Sequence, residues 1–181
     1  MNKVILFNPR SANHKHRVPN SILQVGASIY GKYDFVFVDG NLETDPWRKI
    51  ELYLKTGEYK YFGSTVMPGP QLKQAIPFSK KVKENFPDLI TIWGGYFASN
   101  QHPVVLDSGY VDYAINGPGD NAFPLLLDAL EKGESVDGIK NLIFKRDGQY
   151  VKTAKEVLQN MDLLPPLPYV FLDGFYSLKH Y

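Results

Sequence analysis

Two loops that are rich in small residues follow runs typical of β-strands. Gly63-Ser64-Thr65-Val66-Met67 closes a run that begins at Lys60, and Gly94-Gly95 follows the apolar run Leu89–Trp93. Glycine lets a ligand approach the backbone closely, and a serine hydroxyl can donate or accept a hydrogen bond. Because ligands bind at the carboxyl ends of parallel strands, the loops Ser64–Gly69 and Gly94–Asn100 are predicted to form one binding mouth.

The sequence lacks the motifs of several other kinds of ligand-binding and catalytic site. No strand is followed by a glycine-rich dinucleotide fingerprint or a Walker lysine motif, and Gly63–Met67 lacks the second glycine of a nucleophile elbow. The first strand leads into Asn8-Pro9-Arg10, which has no carboxylate for receiver-type phosphorylation. His14, His16 and His102 are too scattered for a metal site and are predicted to be exposed loop histidines. The sequence therefore offers no catalytic residues and no metal ligands, which disfavours an enzyme complete in itself.

Composition limits the class of protein further. The chain has 181 residues, 44% of them hydrophobic, a net charge of +1 and no cysteine. This length suits one domain of about 100–150 residues plus a tail. The absence of a basic block disfavours nucleic-acid and membrane partners. Without cysteine the polypeptide cannot hold a disulfide or a thiolate-bound cluster. The first residues lead straight into a strand and no apolar run reaches transmembrane length, so a cytoplasmic location is expected.

Strand-like and helix-like segments alternate along the chain. This order predicts an α/β fold with a doubly wound, mostly parallel five-stranded sheet over residues 1–135. An appended hairpin is expected at 136–153, around Asp147-Gly148. Residues 154–181 are predicted to be a linker or a strap across the domain. In the third helix Pro77 predicts a kink, or a helix that starts after it. The predicted strands are Lys3–Phe7, Asp34–Val38, Lys60–Val66, Leu89–Trp93 and Val111–Ile115.

The order of these motifs resembles a known family, the B12-dependent radical-SAM proteins. It is similar to their N-terminal cobalamin (B12)-binding domain, whose fold is flavodoxin-like and Rossmann-like. The resemblance continues into the segment that leads, in those proteins, to the radical-SAM barrel. The motifs that carry it are Gly63–Met67, Ile92-Trp93-Gly94-Gly95, Val111–Ile115, Gly117-Pro118-Gly119-Asp120, Asn141–Phe144, Asp147-Gly148 and Met161–Tyr169.

The resemblance implies roles for residues at the mouth. The nucleotide tail of cobalamin would enter beside the switch point between strands one and three. Ser64 would hydrogen-bond the dimethylbenzimidazole, and Gly94-Gly95 would let the tail pass. Thr65, Val66, Met67 and Pro68 would lie along the lip, Tyr96 and Phe97 would shield the corrin, and Gly117 and Gly119 would bring backbone close to the nucleotide.

Each of these residues also has a purely structural interpretation. Ser64 taken alone could be a strand-end hydroxyl that bonds to nearby backbone. Gly94-Gly95 could be a tight turn that needs positive φ. The aromatic pair Tyr96 and Phe97 could be ordinary packing, and Gly117 and Gly119 could belong to a plain loop.

Two departures from related patterns shape the expected chemistry. Nothing after strand one fits Asp-x-His-x-x-Gly, the motif whose histidine ligates cobalt in methionine synthase and the mutases. The resemblance therefore implies base-off, histidine-off cobalamin. The Gly-Glu-Gly-Glu often seen after strand five is Gly117-Pro118-Gly119-Asp120, which keeps one carboxylate.

In the family that the chain resembles, three cysteines hold the cluster, and this polypeptide has none. The resemblance therefore implies that the [4Fe-4S] cluster and S-adenosylmethionine belong to a radical-SAM domain outside this polypeptide. The chain is either an excised N-terminal domain or a stand-alone relative, and excision is favoured because the sequence stops in a linker-like segment. The implied function is to bind cobalamin and present it to the radical-SAM domain of the parent chain, for methyl transfer or another radical rearrangement. The rival hypothesis is a flavodoxin-like domain that has lost its ligand and serves as a docking surface.

Overall fold

The computed structural model describes residues 2–11, 16–157 and 160–181. It shows an α/β fold around one sheet of seven strands in the order β2-β1-β3-β4-β5-β6-β7. The first five strands are parallel, β6 pairs antiparallel with β5, and β7 pairs antiparallel with β6. The strands are β1 Lys3–Asn8, β2 Phe35–Asp39, β3 Tyr59–Thr65, β4 Ile90–Gly94, β5 Tyr113–Ile115, β6 Leu142–Arg146 and β7 Gln149–Lys152.

The predicted α/β class and mostly parallel sheet are confirmed, but the predicted count of five strands is wrong. Ala114 pairs with Ile143, so β6 adds directly to the sheet, and Phe144 pairs in turn with Val151 of β7. The two strands are joined by Asp147 and Gly148, whose φ angles of 50° and 76° suit a tight turn between antiparallel strands. The edge of β5 is thereby covered by the segment that follows α6.

Helices cover both faces of the sheet. Leu6 of β1 packs in one cluster with Leu23 and Leu126, from the first and sixth helices. Its neighbour Ile5 points to the opposite face and packs with Ile50 and Val82 of the second and third. The helices are α1 Asn20–Ile29, α2 Pro46–Leu54, α3 Leu72–Asn85, α4 Tyr96–Asn100, α5 His102–Asp107, α6 Ala122–Lys132 and α7 Tyr169–Phe175. None within the described ranges is long and apolar enough to cross a bilayer.

Local signals set several helix ends. Asp45 Oδ1 accepts a hydrogen bond of 3.0 Å from Arg48 N and caps α2, and Gly133 ends α6 with a φ of 67°. The alternative that α3 starts after Pro77 is wrong, because the helix begins at Leu72. Pro77 is exposed, as is Lys73, whose carbonyl loses its helical partner. The missing hydrogen bond thus falls on the solvent side of the helix, where water can replace it.

The C-terminal segment packs back onto the sheet through α7. Phe171 and Phe175 lie against Phe37, with ring centroids 5.9 and 5.6 Å away. Tyr176 is 8% exposed, and its hydroxyl accepts from Asp39 N at 3.0 Å and donates to Glu43 Oε1 at 2.7 Å. The segment therefore covers the outer edge of β2 and satisfies a backbone donor of that strand.

Replacing Tyr176 with phenylalanine is expected to lower the free energy of unfolding by about 1–2 kcal/mol. The change removes the partner of a buried N–H group and one hydrogen bond to Glu43. Urea denaturation with linear extrapolation measures the difference. Tyr169→Phe, at an exposed position at the start of α7, serves as the control. Equal stability of the two variants would show that the Tyr176 hydroxyl does not anchor the segment.

Candidate ligand-binding site

A cleft of about 310 Å³ opens at the carboxyl ends of the parallel strands, between α1 and α6. β1 lies between β2 and β3, so the chain reverses direction across the sheet at this point. Such a switch point is where doubly wound sheets bind ligands, and the volume falls in the range of small-molecule sites. Apolar side chains from both layers line the cleft: Leu6, Ile22, Val25, Ile92, Ile115 and Phe123.

Ser64 is the most informative polar residue of the cleft. It lies near the end of β3, paired with Phe7 on one side and Trp93 on the other, and is 5% exposed. Its Oγ is buried and has no hydrogen-bond partner among the described residues. The interpretation of Ser64 as a hydroxyl bonded to nearby backbone is therefore wrong. An unsatisfied buried hydroxyl costs about 1–3 kcal/mol, and a ligand that accepts a hydrogen bond from it would recover this cost.

The two adjacent glycines at the end of β4 differ in what the fold requires of them. A Cβ built on Gly94 would meet only Ile115 Cβ, at 3.9 Å, and would project beside the cleft that Gly94 lines. Gly95 has a φ of +89°, and a Cβ there would lie 2.8 Å from Val66 O. The backbone thus demands glycine at Gly95, where the tight-turn interpretation holds. At Gly94 the fold leaves room for a side chain, and glycine keeps the cleft open.

The structure brings seven of the eleven predicted site residues to the cleft: Ser64, Thr65, Met67, Gly94, Gly95, Gly117 and Gly119. The other four lie elsewhere. Val66 is fully buried in the core beside Trp93, and Phe97 packs against the same cluster, as the packing interpretation expected. Pro68 is exposed, and Tyr96 is 61% exposed next to the mouth.

The sequence-based prediction missed the residues that α1 contributes and two of the residues from the loop after β5. Ser21 and Gln24 of α1 line the cleft together with Pro118 and Asp120. One sequence signal could have identified the helical residues. Ser21 and Gln24 are three residues apart on the helix that follows β1, as are Ile22 and Val25, which also line the cleft. Because α1 leaves the sheet at the switch point, one stripe of it must face the carboxyl ends of the strands.

A buried asparagine fixes the loop after β5. Asn141 is 1% exposed and adopts a φ of 63°, and its Nδ2 donates to Pro118 O at 3.2 Å. Its backbone oxygen accepts from Asn116 N at 2.7 Å. The loop ends at Asp120, whose Oδ1 is buried without a hydrogen-bond partner in the described part of the chain. Two unsatisfied polar atoms, Ser64 Oγ and Asp120 Oδ1, therefore belong to residues of one apolar cleft.

The polar groups at the ends of β1 and β2 are engaged in structural hydrogen bonds. Asp39 is fully buried, and its carboxylate accepts from Asn8 Nδ2 at 3.0 Å, from Asn41 Nδ2 at 2.9 Å and from the Tyr181 hydroxyl at 2.8 Å. Burial raises the pKa of Tyr181 well above its usual value, and the nearby Asp39 carboxylate adds to the effect. This network anchors the C-terminal segment beside the switch point.

Three histidines, His14, His16 and His102, were predicted to lie in exposed loops. His16 is exposed, with Nδ1 3.2 Å from His180 O, and His14 lies outside the described residues. The prediction of an exposed loop is wrong for His102, which is partly buried at the start of α5 and edge-on to Tyr150. Burial lowers the pKa of His102, and the positive charge of Lys152 lowers it further. Within the described ranges no three metal-ligating side chains of His, Asp or Glu come together.

Comparison with known proteins gives relatives of greater length. No family model matches the chain. Over 84 residues it is 26% identical to an anaerobic magnesium-protoporphyrin IX monomethyl ester cyclase of Synechocystis, which covers 45% of this chain and 17% of the cyclase. Over 172 residues it is 22% identical to an uncharacterized methyltransferase of Pyrococcus horikoshii, which covers 90% of this chain and 37% of that protein. The chain thus spans well under half the length of either relative.

Solved structures show where this fold occurs. The chain superposes on the radical S-adenosylmethionine methyltransferase TsrM of Kitasatospora setae, solved with cobalamin and a [4Fe-4S] cluster, with a TM-score of 0.73, 17% identity and coverage of 92% of this chain and 31% of TsrM. It also superposes on the cobalamin-dependent S-adenosylmethionine radical enzyme OxsB, solved with aqua-cobalamin and S-adenosylmethionine, with a TM-score of 0.80 and 15% identity. This match covers 96% of this chain and 25% of OxsB. The fold is therefore that of a segment of two larger cobalamin-containing radical enzymes.

Proposed function

We propose that this chain binds cobalamin base-off, with the nucleotide tail in the cleft between α1 and α6. The observation that carries the proposal is the unsatisfied Ser64 hydroxyl in an apolar cleft that Gly94 keeps open. Such a cleft suits a flat apolar ring with a hydrogen-bond acceptor. The dimethylbenzimidazole of cobalamin has this chemistry once its nitrogen leaves the cobalt. The shared fold with TsrM and OxsB supports the choice.

Residues of the cleft fit this group by type. Ser64 Oγ would donate to the ring nitrogen, while Ile92, Ile115 and Phe123 would pack against the ring. Met67 is 48% exposed and Tyr96 is 61% exposed at the mouth, where their apolar surfaces would contact the corrin. Cobalamin, when bound, supplies a cobalt atom that can carry a methyl group.

The chain would act as one part of a larger enzyme. Its relatives are longer. TsrM and OxsB, which contain the same fold as a segment, are S-adenosylmethionine radical enzymes. We propose that it presents cobalamin to a radical-SAM domain for methyl transfer, with the [4Fe-4S] cluster and S-adenosylmethionine held by that domain. Residues 154–181 would lead toward it. The histidine-off state is proposed from the sequence, because no Asp-x-His-x-x-Gly motif follows β1.

Titration with hydroxocobalamin tests the proposal. The folded chain is expected to shift the visible spectrum of the bound cofactor in a saturable manner, because withdrawal of the dimethylbenzimidazole changes the field at cobalt. An unchanged spectrum with excess cofactor would contradict the proposal and favour the rival function, a ligand-free docking module. Circular dichroism of the same sample establishes that the protein is folded.

Ser64→Ala is expected to weaken hydroxocobalamin binding by about 1 kcal/mol, roughly fivefold, because the ring nitrogen loses its donor. The free protein should lose little stability, since the hydroxyl has no partner in it. Thr91→Val is the matched control: Thr91 Oγ1 is also buried without a partner, at the opposite end of β4 and outside the cleft. Equal affinity of the Ser64→Ala variant and the unsubstituted protein in a spectroscopic titration would show that Ser64 does not contact the ligand.

A further inference from the structure

Asp120 carries a second unsatisfied atom that the roles assigned so far do not use. Its residue lines the cleft, and Oδ1 is buried without a hydrogen-bond partner. An ionised carboxylate is an acceptor only, so this oxygen requires a donor. Burying a carboxylate oxygen without one costs more than burying a neutral group. The natural source of the donor is a molecule that enters the cleft.

The protein holds Asp120 in place before any ligand arrives. Asn141 Nδ2 donates to Pro118 O, two residues earlier, and Asn141 Oδ1 accepts from Glu156 N at 2.8 Å. On the other side, Phe123 N donates to Gly119 O at 2.9 Å and ties the loop to the first turn of α6. Because the loop is already fixed at both ends, ligand binding does not have to order it and incurs no entropy cost for doing so. Such preorganisation suits a group that recognises a ligand.

Ser64 and Asp120 together specify a ligand with two different polar ends. Neither atom satisfies the other, because both lack partners. Ser64 can donate to an acceptor on an apolar ring, whereas Asp120 can only accept from a hydroxyl or amide. Among the described residues that line the cleft there is no Lys or Arg to pair with a phosphate. A carboxylate would also repel an anionic group at its own position.

We propose that Asp120 accepts a hydrogen bond from a ribose hydroxyl of the bound nucleotide tail, so that the cleft recognises a nucleoside rather than a bare base. The inference rests on the proposed cobalamin binding and adds a residue and a ligand group to it. It explains the single carboxylate of the loop Gly117–Asp120 as a specificity determinant. Gly119, the residue before Asp120, lies next to α1: a Cβ built on Gly119 would lie 3.5 Å from Val25 Cγ2.

The test compares two corrinoids on the same protein. Hydroxocobalamin carries the nucleotide and dicyanocobinamide lacks it, so a contact to the ribose affects only the first. Asp120→Ala is expected to raise the dissociation constant for hydroxocobalamin roughly tenfold, the value of one hydrogen bond to a charged group, and to change that for cobinamide less than about twofold. Asp120→Asn is expected to raise the constant for hydroxocobalamin less, because the amide oxygen can still accept a hydrogen bond. Asp88→Asn, at an exposed carboxylate before β4, is the matched control and should change neither.

A second measurement needs no variant. The unsubstituted chain should bind the nucleoside α-ribazole at least about tenfold more tightly than free 5,6-dimethylbenzimidazole. Equal affinities for nucleoside and base, equal losses on both corrinoids, or no loss on either would overturn the assignment of Asp120. If the unsubstituted chain binds no corrinoid at all, the proposed function itself fails, and this result is distinct from the other three.

Discussion

Gly94→Leu is expected to abolish cobalamin binding while the protein stays folded. A Cβ at this position would meet no atom closer than Ile115 Cβ, at 3.9 Å, so the free protein can accept a side chain there. The branched leucine would then fill the space that the nucleotide tail needs. Overpacking of this kind costs up to about 3 kcal/mol, or roughly a hundredfold in the dissociation constant, and more where neither partner can move.

Two measurements separate the effect on binding from any effect on folding. Spectroscopic titration with hydroxocobalamin should show no saturation, while the melting temperature stays close to that of the unsubstituted protein. Gly138→Leu is the matched control, because Gly138 is exposed, has ordinary φ and has no atom within 4 Å of a built Cβ. Normal binding by the Gly94 variant would show that the tail does not pass this residue.

Gly95→Ala is expected to have the opposite phenotype, a loss of stability. Positive φ costs an alanine about 1–2 kcal/mol. The Cβ would also lie 2.8 Å from Val66 O and 2.9 Å from Val66 N, two backbone atoms that hydrogen-bond Phe97 N and Gly94 O. Together these terms predict a loss of about 2–4 kcal/mol, which lowers the melting temperature by about 5–15 °C.

The control for Gly95→Ala isolates the steric part. Gly109 has a φ of +76° but no atom within 4 Å of a built Cβ, so Gly109→Ala bears only the cost of positive φ. Thermal denaturation of the two variants should therefore differ, with Gly95→Ala clearly the less stable. Equal melting temperatures for Gly95→Ala and Gly109→Ala would show that the segment after β4 shifts to accommodate the added Cβ at little cost.

The contrast between these two glycines illustrates what the sequence can predict. Gly94-Gly95 marked the turn after β4 and its place at the mouth, because a double glycine after an apolar run is a local signal. Which glycine the backbone requires and which keeps the cleft open depends on Val66 and Ile115, residues from other segments of the chain. That distinction requires coordinates, since no pattern within the segment encodes it.

Other features were predictable to different degrees for the same reason. The parallel strands follow from apolar runs that each lie within one segment, and the sequence indicated them. The pairing of β6 with β5 and the docking of α7 on β2 join segments far apart in the chain. The same holds for Asp120, whose position depends on Asn141, a residue from the start of β6. The segment 154–181 gave no helical periodicity, although α7 lies within it.

On binding, the nucleotide tail of cobalamin is proposed to leave cobalt and enter the protein. Electron paramagnetic resonance of the chain loaded with cob(II)alamin tests it most directly, because a nitrogen ligand below cobalt splits the spectrum through superhyperfine coupling. Cob(II)alamin bound to this protein is expected to lack that splitting, as base-off and histidine-off cobalt would. A retained splitting that survives His16→Ala and His14→Ala would show that dimethylbenzimidazole still ligates its own cobalt, and would contradict the account.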